Sequence, residues 1–258
     1  MPINQFKSEV KNRVIANGEN NELKKSAANF LKTSADAMYS YNFSWLGRPI
    51  IQYPQDMVAV QELIWQVKPD LIIEAGIAHG GSLILSASFL ALLDYEDAVQ
   101  NGETLDPSKP KRKVLGLDID IRQHNKKAIE EHMLFSRIDM IEGSSIGDET
   151  IHKVVEYAKD FDKIMLFLDS NHTHDHVLGE LNAYAGLVTK GSYCVVFDTA
   201  VEDFPEDAFP NRNWGPGNNP KTAVWEYLKS HPEYQIDKEI ENKIQITVAP
   251  DGYLKKIK

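Results

Sequence analysis

The sequence predicts an α/β chain built on a mostly parallel, doubly wound sheet, and two observations carry that reading. The first is the stretch Leu71-Ile72-Ile73-Glu74-Ala75-Gly76-Ile77-Ala78-His79-Gly80-Gly81-Ser82. Its leading β-formers show no polar alternation, as in a strand covered on both faces. An acid and glycines follow, and Ser82 opens an apolar helix. At such a strand–turn–helix corner backbone comes close to a ligand and helix N–H groups face it. The second observation is that four apolar runs end in carboxylates: Glu74, Asp118, Asp169 and Asp198. The ligand crevice of an open parallel sheet lies beyond the carboxyl ends of its strands, so acids at four of them mark a site.

Composition sets limits. The 258 residues, 42% hydrophobic, suit one large α/β domain or one domain with an appendage. A net charge of −10 speaks against a nucleic-acid backbone as the main partner, because phosphates need a basic face. The single cysteine, Cys194, excludes an internal disulfide and reads as a small core residue. With no signal-like N-terminus and no membrane-length apolar run, a cytoplasmic protein without a membrane partner is expected.

The elements follow in order. Residues 1–40 are polar with an apolar stripe at Leu23, Ala27, Phe30 and Leu31, and predict helix that caps the sheet or joins subunits. Residues 41–53 are aromatic and loop-like, so 1–53 form an expected N-terminal extension to a sheet domain at 54–258. Pro54 opens a helix with Met57, Val60, Leu63, Ile64 and Val67 on one face, and Pro69 ends it. The helix from Ser82 is expected to stop near Asp94, leaving 95–111 as a surface excursion. Strands at 114–118, 138–141, 164–168 and 193–197 alternate with helices near 122–132, 149–157 and 175–187. Residues 199–220 lack periodicity and predict a lid. After a helix to 228, residues 244–248 and 253–254, around Asp251-Gly252, predict an antiparallel C-terminal hairpin.

The glycine turn is not G-x-G-x-x-G, because Ala78 stands two after Gly76. Glu74 would repel a pyrophosphate but suits an ammonium and a sulfonium, which favours S-adenosylmethionine over a nicotinamide cofactor. A tight turn with no ligand is the bland alternative. His79 reads as packing against the ligand. Asp118 stands where an acid for ribose hydroxyls belongs; Asp120 competes for that role or caps the next helix. Asp169 and Asp198 end strands expected beside the first, and two hard oxygen ligands with room for water suit Mg²⁺. Separate solvated or capping acids are the alternative. His172, His174 and His176 lack the spacing of the two-His, one-carboxylate iron triad, so a transition metal is not expected there.

A resemblance sharpens the reading. Trp45-Leu46-Gly47-Arg48-Pro49-Ile50, Pro54-Gln55-Asp56, Gln61-Glu62, the turn from Pro69 to Ser82, Leu168-Asp169-Ser170-Asn171-His172-Thr173, Asp198-Thr199 and Gly215-Pro216-Gly217 resemble the cephalosporin hydroxylase-like family. The likeness runs from about Phe43 to Lys255, and the chain is also similar to macrolide-sugar and rhamnosyl O-methyltransferases. It implies a Rossmann-like class I methyltransferase fold that binds S-adenosylmethionine and Mg²⁺. It implies Glu74, Gly76, Gly80, Asp118 and Ser144 for the methyl donor, with His79 and Ser82 in the same turn. It implies Asp169 and Asp198 for the metal and His172, three residues after Asp169, as the base. One departure stands out: the family's Glu-Asp-Thr after strand five is here Phe197-Asp198-Thr199, which removes a carboxylate ligand. The expected function is Mg²⁺-assisted O-methyl transfer to a hydroxyl of a sugar or small natural product, by a homo-oligomer. The rivals are a non-catalytic S-adenosylmethionine-binding partner protein with a degraded metal site, and a hydroxylase or dehydrogenase, which the missing motifs disfavour.

Overall fold

The computed structural model describes residues 2–258. In chain order they form α1 (Ile3–Glu19), α2 (Asn21–Asp36), β1 (Phe43–Trp45), β2 (Arg48–Ile50), α3 (Pro54–Val67), β3 (Leu71–Ala75), α4 (Gly81–Asn101), β4 (Lys113–Asp118) and α5 (Gln123–Glu130). They continue as β5 (Ile138–Glu142), α6 (Asp148–Ala158), β6 (Ile164–Leu168), α7 (His174–Tyr184), β7 (Tyr193–Val196), α8 (Pro220–Leu228), β8 (Tyr234–Ile236), α9 (Lys238–Ile244) and β9 (Tyr253–Lys256). Seven strands make one sheet in the order β5-β4-β3-β6-β7-β9-β8. β3 pairs in parallel with β4 on one side and β6 on the other, so connections leave it in both directions and a crevice opens above its carboxyl end. β9 alone runs antiparallel, between β7 and β8.

Both faces of the sheet are covered, which explains the unbroken apolar strands. Ile72 of β3 packs with α3 and α4, whereas Leu71 and Ile73 pack with α6, α7 and α8. The period of two therefore turns Glu74 toward the α3–α4 face.

Several expected boundaries move, each for a local reason. α4 runs past Asp94 to Asn101, because Gly102, at φ +66°, is the left-handed cap that ends a helix and not the middle of an irregular segment. Residues 244–248 are not a strand. α9 takes Ile244, Asp56 binds the Thr247 hydroxyl and the Val248 N–H, and β9 pairs with β8 instead. Residues 41–53 contain the β1–β2 hairpin, whose Pro49 carbonyl lies where a Cβ on Gly81 would be. The helical region expected over 1–40 is split at Asn20, whose side chain accepts from the Glu22 and Leu23 N–H groups, and the apolar stripe lies within α2. Ala27 of that stripe is buried, but Phe30 is 37% exposed. β6, but not β7, adjoins β3, so only one of the two strands that end in Asp169 and Asp198 is its neighbour. No helix among the described residues is long and apolar enough to cross a membrane.

Candidate active site

The central strand delivers Glu74 to the base of a cavity of about 290 Å³. The carboxylate is 3% exposed and accepts from Ser86 of α4. Burial pushes its pKa up to about 7, against the opposing hydrogen bonds of Ser86 and Ser82. Just beyond it Gly76, at φ +101°, crosses the loop after β6 so closely that a Cβ would overlap the Asp169 carbonyl. Gly80 caps α4 in the left-handed region, and a Cβ there would strike Ile129 of α5.

Three side chains clamp this turn from outside. Asp118 Oδ2 accepts from the Ile77 N–H at 2.9 Å and the Ala78 N–H at 3.3 Å. Asn125 donates to the Ala78 carbonyl at 2.8 Å, and Arg48 Nε donates to the His79 carbonyl at 3.0 Å. Asp120 does not cap α5, whose N-cap is Arg122; its own N–H donates to Asp118 Oδ1 at 3.1 Å. Arg48 and Asn125 are missed by sequence reasoning. Arg48 had a signal in the Trp45–Ile50 motif, whereas Asn125 reads as an ordinary residue of a surface helix.

Glu74, Gly76, His79, Ser82, Asp169, His172 and Asp198 line the cavity together. Asp118, Gly80 and Ser144 are not on its wall: Asp118 braces the turn, Gly80 packs on Ile129, and Ser144 lies in the loop after β5. The opposite wall comes from the N-terminal segment and α3, through Tyr41, Ile51 and Met57.

Loops after β6 and β7 bring Asp169, His172 and Asp198 together, with one ligand atom from each lying within 4.8 Å of the others. His172 Nε2 is 3.2 Å from Asp198 Oδ2, and its ring meets Trp214 edge-on with centroids 5.1 Å apart. Burial and the neighbouring carboxylates, Asp198 before Glu74, hold the Asp169 carboxyl well above the usual range. Among the described residues no lysine or arginine bridges Glu74, Asp169 or Asp198. Phe197 is 6% exposed and packs edge-to-face on Phe167, so hydrocarbon stands at the position where the resemblance implies a carboxylate. The other two histidines are engaged elsewhere, His174 with Thr222 and Glu226 and His176 with Ser145 and Glu180.

A seven-stranded sheet with one reversed strand, a glycine turn over a buried acid and an acidic pair beside it define an S-adenosylmethionine-dependent O-methyltransferase. The particular family follows from comparison: the chain belongs to the rhamnosyl O-methyltransferase/CmcI family, whose model matches residues 37–257. It is 31% identical over 202 residues to a rhamnosyl O-methyltransferase of Mycobacterium bovis, covering 77% of this chain and 72% of the relative. A rhamnosyl O-methyltransferase of Mycobacterium leprae is 28% identical over 213 residues, 82% of each chain. Among solved structures, apo CmcI superposes with a TM-score of 0.53 at 17% identity, covering 84% of this chain and 77% of that one. CmcI with Mg and SAM gives the same score at 18% identity, covering 84% and 78%. At these identities the two structures agree with the present one in fold.

Proposed function

We propose that this enzyme methylates a hydroxyl of a sugar or sugar-bearing natural product, with Mg²⁺ at Asp169 and Asp198 and His172 as the general base. One observation carries the reading: Glu74, Asp169 and Asp198 face a single cavity without a lysine or arginine to balance them. Such a donor set fits a cationic methyl donor on one side and a hard divalent cation on the other. The rhamnosyl acceptor named for the mycobacterial relatives and the Mg and SAM named for the CmcI structure point the same way.

S-adenosylmethionine supplies a methyl group on a sulfonium, and the cation supplies a Lewis acid that lowers the pKa of the acceptor hydroxyl. The chain's own residues do the rest. Glu74 offers negative charge beneath the donor. Gly76 and Gly80 let the turn approach it, flanked by His79 and Ser82. Asp118 fixes that turn and keeps lone pairs for ribose hydroxyls, and Ser144 closes the donor side from the loop after β5. Asp198 Oδ2, 3.2 Å from His172 Nε2, steadies the imidazole, which then takes the acceptor's proton. Holding the hydroxyl in line with the methyl supplies the remaining acceleration. A non-catalytic binding protein would have no use for an imidazole held on an acid at this spot.

A cytoplasmic location agrees with the free, buried Cys194. For the homo-oligomer, α1 offers Ile3, Phe6 and Ile15, exposed by 65%, 48% and 47%. The test is transfer of labelled methyl from S-adenosylmethionine to a panel of rhamnosides and related deoxysugars, with Mg²⁺ and with chelator. Transfer that needs the cation is expected. Donor binding without transfer to any hydroxyl acceptor would hand the chain to the binding-protein rival.

A further inference from the structure

One face of α7 presents His176, Glu180 and Tyr184, each a helical turn from the next. Glu180 is completely buried, yet no lysine or arginine reaches it among the described residues. Instead two hydroxyls donate to one of its oxygens, with an imidazole close by. Ser145 Oγ donates to Oε1 at 2.5 Å, Ser170 Oγ donates to the same atom at 2.5 Å, and His176 Nε2 stands 3.3 Å away. The other oxygen, Oε2, is buried with no hydrogen-bond partner among the described residues. Tyr184 adds a hydrogen bond to the Ser145 carbonyl.

A buried carboxyl group with an unfilled oxygen is a poor stabiliser, because leaving that oxygen unpaired costs about as much as its two hydroxyl bonds return. Its placement is informative. Ser145 follows Ser144 in the loop after β5, on the donor side, and Ser170 follows Asp169 in the loop after β6, on the acceptor side. We propose that Glu180 is a positioning residue: it ties these two loops through one shared oxygen, so that the donor and acceptor halves of the site are set as a unit.

This rests on the reading that the cavity takes S-adenosylmethionine, so titration of the full-length wild type with S-adenosylhomocysteine comes first. A chain that takes none overturns that reading and the proposal with it. Given binding, Glu180→Ala should weaken it by on the order of tenfold, the effect of losing two buried hydrogen bonds. Glu180→Gln, whose amide oxygen still accepts both hydroxyls, should restore it to within about threefold. A residue that only supports the fold lowers the thermal midpoint and leaves the affinity of the folded protein unchanged; that result overturns the proposal. If Glu180→Ala does not fold, Ser145→Ala, Ser170→Ala and the double variant decide. Because the two hydroxyls share one oxygen, the double variant's loss should differ from the product of the single losses by more than about threefold, whereas independent losses overturn the proposal.

Discussion

Two groups of acids, each built around a buried one, lie at opposite ends of the same sheet and are treated in opposite ways. At the amino ends of β4 and β5, Asp94 of α4 meets Arg112 and Arg137, each at 2.5 Å, and Asp97 meets Arg112 at 2.7 Å. Asp94, Arg112 and Arg137 are 2%, 8% and 3% exposed, a buried network that answers its own charge. At the carboxyl ends, Glu74, Asp169 and Asp198 have two serines and an imidazole but no arginine or lysine. The first group is finished inside the chain. The second is left incomplete, and groups whose pKa values are displaced in a cleft are where binding or catalysis is expected. The difference teaches which end of the sheet is for holding together and which is for use.

Breaking the second group should show chiefly in chemistry. His172→Ala should lower turnover by about 100- to 10,000-fold, the usual range for a general base, while S-adenosylhomocysteine binding holds. A variant within a few-fold of wild type would end the claim for His172. Breaking the first group should show chiefly in stability. Asp94→Ala leaves the buried Arg137 without a carboxylate and Arg112 with Asp97 alone, and should cost about 3–5 kcal/mol in denaturant unfolding. The same variant, where folded, should bind S-adenosylhomocysteine normally.

A pH series sharpens the contrast. The Glu74 carboxyl titrates near 7 in the folded chain against an ordinary value of 4.5. Between those values the folded state holds a proton that the unfolded chain has lost. Stability from this group is therefore complete below pH 4.5 and disappears as pH rises through 7. At 1.36 kcal/mol per pKa unit the loss is about 3 kcal/mol. Glu74→Gln should flatten that slope in unfolding curves taken at pH 5 and 7.5. A cationic donor favours the ionised acid, so S-adenosylmethionine should bind wild type more tightly at pH 8 than at pH 6. A slope unchanged in the variant would remove Glu74 from the account.

Much of the site was legible because its residues sit where chain order meets strand direction. Glu74, Gly76 and Asp169 follow directly from strands read as continuous apolar runs. His172 follows from the three-residue turn after Asp169. What stayed hidden depends on contacts far apart in sequence. Asp56 looks like an acid placed in a helix's first turn, yet it is fully buried and binds Thr247 and Tyr253, 191 and 197 residues away. Its burial pushes the carboxyl up to about 6. Nothing near Asp56 in the sequence announces those partners, and the stretch expected as a strand at 244–248 is irregular because it serves them. Glu180 was hidden for the same reason, reading only as a polar break in a helix face.

Asp118 gives a smaller expected effect, because it serves the turn as well as the ligand. Asp118→Ala removes three acceptor contacts to backbone N–H groups and any bond to a ribose. It should weaken S-adenosylhomocysteine binding by about 1–3 kcal/mol, read by calorimetry. Unchanged affinity in a folded variant would limit Asp118 to bracing the turn.

The smallest expected effect concerns Phe197, where the carboxyl end departs furthest from its family. Its ring is 6% exposed and rests on Phe167, so Phe197→Glu removes an apolar contact and adds a fourth carboxylate to an unbalanced set. In chelator the variant should be less stable than wild type, since a buried charge without a partner is costly. With Mg²⁺ the order should narrow or reverse. A third carboxylate ligand replaces a water, and binding to the folded state alone stabilises it in proportion to the logarithm of cation concentration over Kd. An affinity gain of about tenfold corresponds to about 1.4 kcal/mol at saturating cation. The measurement is the thermal midpoint of both proteins across a Mg²⁺ series, with isothermal titration of the cation. If the variant's midpoint is as insensitive to Mg²⁺ as in chelator, Asp169 and Asp198 do not hold the ion. The unbalanced charge at this end of the sheet would then belong to the methyl donor alone.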